Sequence, residues 1–144
     1  MLSTRSIIFV TIQFLAIGLI AFTGTIIPQN IFFRMILIIS LAFGIWAMII
    51  MKFKFNIFPE LMPGSRLVTS GPYRYVRHPM YTAVLIITLV WLINEFTLLR
   101  LAVWVILLTD LIIKFRYEEK ILMGKYEDYK EYKKRTKAIL PLVY

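Results

Sequence analysis

The stretch "IIFVTIQFLAIGLIAFTGTII", residues 7–27, contains no charged side chain. As a helix rising about 1.5 Å per residue, it is long enough to cross the roughly 30 Å hydrocarbon core of a bilayer. A signal peptide is the rival reading, but its apolar core would run to about 7–15 residues and end at a small-residue cleavage site; neither feature fits. The stretch therefore predicts a first membrane span. Pro28, Gln29 and Asn30 then form a turn, and residues 31–51 form a second span. Its one charge, Arg34, lies close enough to the start to snorkel to the interface.

Composition supports the same class. The chain has 144 residues, of which 60% are apolar, and its mean hydropathy is +0.76. A water-soluble fold of this size could not bury so much apolar surface. There is no cysteine and a single histidine, which excludes disulfides, thiolate nucleophiles and cysteine metal sites and leaves no zinc site to build, so no metal is expected. The formal charge of +9 raises nucleic acid as a partner, but in a membrane protein basic residues more often mark cytoplasmic loops and anionic headgroups.

The placement of the charges decides between these. Residues 52–79 are a polar loop with Lys52, Lys54, Arg66, Arg74 and Arg77, four prolines and two glycines. From Met80 to Ile113 the chain is apolar again, interrupted by "NEFTLLR" at 94–100, which predicts two helices joined by a tight turn. The first of them, residues 80–93, covers only about 21 Å. The last helix is expected to continue through "KFRYEEKILMGKYEDYKEYKKRTK", with Gly124 as a candidate kink. Four spans put the amino terminus, the 52–79 loop and the carboxyl tail on one side. These hold 1, 5 and 9 basic residues, 15 of the 17 in the chain, so the positive-inside rule makes that side cytoplasmic and leaves no role for nucleic acid. The expected fold is thus an all-α polytopic membrane protein of about four transmembrane helices with a cytoplasmic C-terminal helix. It reads as one domain over 1–144, with two spans in 1–51, the loop in 52–79, and a hairpin plus tail in 80–144.

Two polar clusters then lie at one membrane face. In "GPYRYVRHPMYTA", residues 71–83, Pro79 is suited to start the third helix with His78 held outside it at the mouth. Free backbone N–H groups there can receive an anion. An interfacial anchor would use the same residue types. In "KFRYEEKIL", residues 114–122, Glu118 and Glu119 point about 100° apart, so only one can face a given cleft. Helix-stabilising pairs of Lys114 with Glu118 and of Arg116 with Glu119 are the plain alternative. Carboxylates at the end of an apolar span beside an anionic surface, however, suit a cationic ligand. Asp110 is expected to pair with Lys114 four residues on. Tyr126, Tyr129 and Tyr132 among lysines predict an amphipathic surface helix in contact with lipid, with a wall of the site as the second reading.

Taken together, "LVTSGPYRYVRHPMY", the helical hairpin, "EEKIL" and "YEDYKEYKKRTKAILP" resemble, in order and spacing, the carboxyl half of the isoprenylcysteine carboxyl methyltransferase and phospholipid N-methyltransferase superfamily, from about Ser65 to Pro141. The resemblance implies an integral membrane methyltransferase that uses S-adenosylmethionine and releases S-adenosylhomocysteine, acting on a lipophilic or membrane-dissolved acceptor. Arg66, Leu67 and Val68 would line the cofactor with their backbone; Tyr73, His78, Pro79, Met80 and Tyr81 would wrap it; Glu118 would bind one of its polar groups. Lys114 stands where the family has a substrate-contacting arginine, so charge survives without bidentate recognition, and Arg116 is a second candidate for that role. Arg77 and Glu119 are the candidate catalytic residues, a cation to place an anionic acceptor and a carboxylate base for an amine. Ala83, and the lack of a glycine between Tyr126 and Glu127, depart from the family pattern. An NADPH-dependent reductase of the sterol type shares the same carboxyl-half pattern and would use Arg74 and Arg77 for a 2′-phosphate. A non-catalytic protein recruiting anionic lipid explains the tail lysines but not Glu118 and Glu119 near His78. Oligomeric state is not legible.

Overall fold

The computed structural model describes residues 3–53, 56–59, 64 and 66–139. Lys54, Ser65 and Pro141, which the sequence reading placed in the loop and at the ends of the motif, lie outside the described residues. The described residues form five α-helices: α1 Thr4–Phe22, α2 Ile31–Ile50, α3 Pro79–Asn94, α4 Leu98–Lys125 and α5 Tyr129–Arg135. A single 3-10 turn spans Gly71–Arg74, and no strand occurs among the described residues.

Local chemistry sets the helix starts. Ser3 accepts from the Ser6 N–H at the head of α1, Asn30 from Phe32 at α2, and Thr97 from Arg100 at α4, each satisfying a donor that the first helical turn leaves free. Pro79 opens α3, where a missing N–H costs nothing. Among the described residues, only α1 and α2 are long and apolar enough to cross a membrane on length and composition alone; α3 is apolar but has 16 residues. On α1 the buried residues Ser6, Val10, Gln13, Ala16 and Ile20 recur every three or four positions, the stripe a helix needs to pack along one neighbour. That neighbour is α4, and α2 lies chiefly along α3. Ala16, Ile20, Leu85, Leu107, Leu111, Phe115, Ala138 and Ile139 share one core. Most of α2 faces outward, with Ile31, Phe32, Met35, Ile38, Ile39 and Trp46 exposed. So broad an apolar face suits lipid rather than water.

The first span differs from its expected limits. Its helix runs over 4–22 rather than 7–27, because the chain leaves the axis at Thr23 to pass a buried arginine. Arg100 is 3% exposed and donates from Nη2 to the Ile20 carbonyl at 2.8 Å and from Nη1 to the Glu95 carbonyl. Glu95 in turn accepts from the Thr25 N–H at 2.8 Å. A Cβ on Gly24 would meet Arg100 Nη1 at 2.7 Å and Glu95 Oε2 at 2.8 Å. Gly24→Ala is therefore expected to cost about 1–3 kcal/mol through overpacking, to be read as a lowered thermal midpoint in detergent by circular dichroism.

The last helix also departs from expectation. It does not kink at Gly124 and run on; it stops at Lys125, Tyr126 is extended, and α5 begins at Tyr129. The break lets the tail fold back. Residues 76 and 137 form a parallel bridge, with Arg77 N–H donating to the Lys137 carbonyl at 2.8 Å, His78 N–H to Ala138 at 3.0 Å and Lys137 N–H to Tyr75 at 3.1 Å. The start of α3 is thereby stitched to a segment sixty positions later in the chain.

Candidate active site

The mouth of α3, α4 near Glu118 and the returning tail enclose a cavity of about 230 Å³. Its walls include Arg66, Leu67, Val68, Tyr73, Arg77, His78, Pro79, Met80, Tyr81, Lys114 and Glu118. All the residues expected to line or wrap the cofactor therefore meet in one place, together with Lys114 and Arg77. Glu119 and Arg116 are not among the lining residues, and Arg116 is exposed. Gly71 turns the loop into this wall at φ +59°, a conformation costly for side-chain-bearing residues, and its Cα faces Ile50 so closely that a Cβ would lie 2.7 Å from it.

His78 sits at the centre. Its ring stacks on Tyr81 with centroids 5.5 Å apart and an angle of 8° between planes, and it lies 5.2 Å from the Phe115 ring. Nδ1 is 3.4 Å from Glu118 Oε2, and Nε2 is 3.5 Å from Glu119 Oε1 without hydrogen-bond geometry. As the helix geometry requires, the two glutamates diverge. Glu118 turns to the cavity and accepts from the Tyr81 hydroxyl at 2.5 Å. Glu119 turns away to Arg77 Nε at 2.6 Å and Lys133 Nζ at 2.6 Å. Arg77 also donates to the carbonyls of Lys133 and Thr136, so its guanidinium is committed to the tail.

Burial alone would raise the pKa of Glu119, yet His78, Lys133 and Arg77 together hold it far below the usual carboxylate range, at about 2. For His78, burial favours the neutral ring, but the carboxylates of Glu118 and Glu119 outweigh it and raise the pKa above 6.5. A raised imidazole pKa gives stability that is complete below the unfolded value and lost as pH climbs through the folded one. Thermal midpoints in detergent are thus expected to decline as pH rises above about 6.5, and the decline should be missing in His78→Asn.

Several pairings differ from the sequence reading. Asp110 forms no ion pair with Lys114; its Oδ2 is buried without a hydrogen-bond partner. Lys114 Nζ instead donates to Gln13 Oε1 of α1 at 2.7 Å and lies 5.1 Å over the Tyr81 ring, because α1 packs along that face of α4 and offers an acceptor. Glu119 likewise takes its partners from farther along the chain, Arg77 and Lys133. Tyr129 and Tyr132 do not face lipid. They are 1% and 6% exposed and line the cavity with Tyr126, since the tail folds α5 against the loop and Tyr132 Oη donates to the Tyr73 carbonyl at 2.6 Å.

Sequence reasoning passed over Gln13, Met51 and Asn56. Gln13 had a signal: it is the one amide side chain in the first span. For the tyrosines a wall of the site was the second reading behind lipid contact, because only the tail's return distinguishes an inner from an outer face.

A family model described as the isoprenylcysteine carboxyl methyltransferase family matches residues 33–124, which holds nearly all of α2, the loop, α3 and nearly all of α4. The chain belongs to this family. Membership in the isoprenylcysteine carboxyl methyltransferase family implies a methyltransferase for a lipophilic acceptor and favours that activity over the reductase reading. Neither a curated protein nor a solved structure matches the chain. Of the cavity residues, Gln13, Tyr126, Tyr129 and Tyr132 fall outside the matched segment.

Proposed function

We propose that the protein transfers a methyl group from S-adenosylmethionine to a lipophilic acceptor at the cytoplasmic face of a membrane, as a single four-span domain with its amino terminus, loop and tail on that face. The observation that carries this reading is the convergence of Glu118, His78 and Tyr81 on one cavity with Arg66 and Arg77 in its wall. The donor set suits the cofactor. Glu118 offers a carboxylate to its ammonium or ribose hydroxyls, the tyrosine rings offer apolar faces to adenine, and arginine and the α3 mouth offer partners to its carboxylate. Tyr129, whose Oη is buried without a hydrogen-bond partner, belongs to these walls, and a ligand's polar group there would satisfy it.

S-adenosylmethionine supplies a methyl already activated by its sulfonium, so the protein's task is to position, orient and exclude water. Tyr81 and His78 hold the Glu118 carboxylate from two sides. Arg77 and Glu119, fixed to the tail, hold His78 and so act on the site through it. Lys114, about 6 Å deeper along α4 than Glu118, reaches the part of the cavity nearest the apolar core. The lipophilic acceptor would approach between helices from the membrane.

Titration calorimetry of the detergent-solubilised protein with S-adenosylhomocysteine tests the reading. Saturable heat at one site per chain is expected. Absence of binding, in protein whose circular dichroism shows it folded, would overturn it.

A further inference from the structure

We propose that Gln13, in α1 and outside the matched residues 33–124, is a positioning residue for the acceptor. It fixes Lys114 as a single-point donor to the acceptor's anionic head group. The inference rests on the function proposed above and deepens it.

A free lysine is a poor substitute for arginine at a recognition site. Its ammonium rides on a flexible four-carbon stem, and holding it in one place costs rotamer entropy. Here that freedom is already removed. Lys114 is 1% exposed, and of its three donors one is taken by Gln13 Oε1 at 2.7 Å while the Tyr81 ring face lies 5.1 Å away. Both Lys114 and Gln13 border the cavity, and Gln13 is itself 9% exposed. The amide oxygen orients the ammonium by a direct hydrogen bond, while the carboxylates of Glu118 and Asp110 act on it only through space, with no ion pair to either. The remaining donor capacity is therefore left for a ligand in the cavity. A carboxylate entering from the apolar side would meet a cation whose position has been set beforehand, which raises affinity by removing the ordering cost at binding. A carboxylate-bearing lipid satisfies this geometry; a protonated amine has no lone pair to accept from the ammonium's remaining N–H groups.

The test is calorimetric, on detergent-solubilised protein first saturated with S-adenosylhomocysteine. The probes are oleate and an N-acetylated S-prenylcysteine, each with a protein-free micelle blank. Wild type is expected to take at least one probe. Gln13→Leu should weaken that probe about tenfold, as should Lys114→Met, since each removes one side of a charge-assisted hydrogen bond. The double variant should be no weaker than Lys114→Met alone, because Gln13 acts only through Lys114. Affinity for S-adenosylhomocysteine should stay within about twofold throughout, which also reports that the variants fold. The inference is overturned by unchanged probe affinity in Gln13→Leu, by additive losses in the double variant, by a parallel loss of S-adenosylhomocysteine binding, or by a wild type that takes S-adenosylhomocysteine but neither probe. Wild type that does not bind S-adenosylhomocysteine would instead sink the proposed function, and this inference with it.

Discussion

Glu118→Gln is expected to weaken S-adenosylhomocysteine binding by about tenfold to a hundredfold, since a charge-assisted hydrogen bond contributes roughly 1.5–3 kcal/mol. The substitution removes charge and little else. Glutamine keeps the length of the side chain and an oxygen that can still accept from the Tyr81 hydroxyl, so the thermal midpoint should move by no more than a few degrees. That contrast separates a ligand contact from a structural one. Binding within twofold of wild type would show that Glu118 serves the packing of Tyr81 and His78 alone. Turnover of labelled S-adenosylmethionine in membranes should fall with the binding.

The second large effect is on stability. Arg77 and Glu119 have side chains 8% and 4% exposed and are joined at 2.6 Å. Removing one partner of a buried pair strands the other charge and costs about 3–5 kcal/mol. Arg77→Met additionally frees the carbonyls of Lys133 and Thr136, so the tail should lose its hold on the α3 mouth. Loss of the folded baseline in detergent, or a much lower denaturation midpoint, is the expected readout. Arg77→Met combined with Glu119→Leu should recover part of that loss, because Lys133 is 42% exposed and can turn to solvent. A single variant as stable as wild type would mean that the backbone bridge between 76 and 137 suffices. The same pair sets the response to acid. A carboxyl whose folded pKa is lowered from 4.5 to about 2 contributes stability that is whole above its unfolded value. That contribution is lost as pH falls through the folded one, and Glu119→Gln should flatten the decline.

Much of this arrangement was legible in the sequence, for a physical reason. Helix spans are written in apolar runs and caps, so α2, α3 and the turn at 94–98 fall within a residue or two of expectation. Proline before "MYTA" fixed the start of α3 and the place of His78. The divergence of Glu118 and Glu119 followed from 100° per residue. What was not legible depends on which helix lies beside which. Asp110 and Lys114 share a face, and local spacing pairs them; only the packing of α1 along α4 offers Lys114 the Gln13 oxygen instead. Tyr129 and Tyr132 have the spacing of a surface stripe, and only the extended Tyr126 and the bridge to Val76 turn them inward. Arg100 closes the polar interruption at 94–100, yet it is buried and bonded to a carbonyl eighty positions away.

On the proposed topology α4 is a rod with a fixed point at each membrane surface: Arg100, locked to the end of α1, and Glu118, about 27 Å further along the axis at 1.5 Å per residue. A rod cannot stretch. In lipids with shorter or longer acyl chains the mismatch must be absorbed by tilt or by deformation of the surrounding leaflet. Tilting α4 swings Glu118 across the ring of His78, which is anchored to a different helix and to the tail. The acyl-chain length of the host membrane thus becomes a mechanical load applied directly to the spacing between the carboxylate and the imidazole.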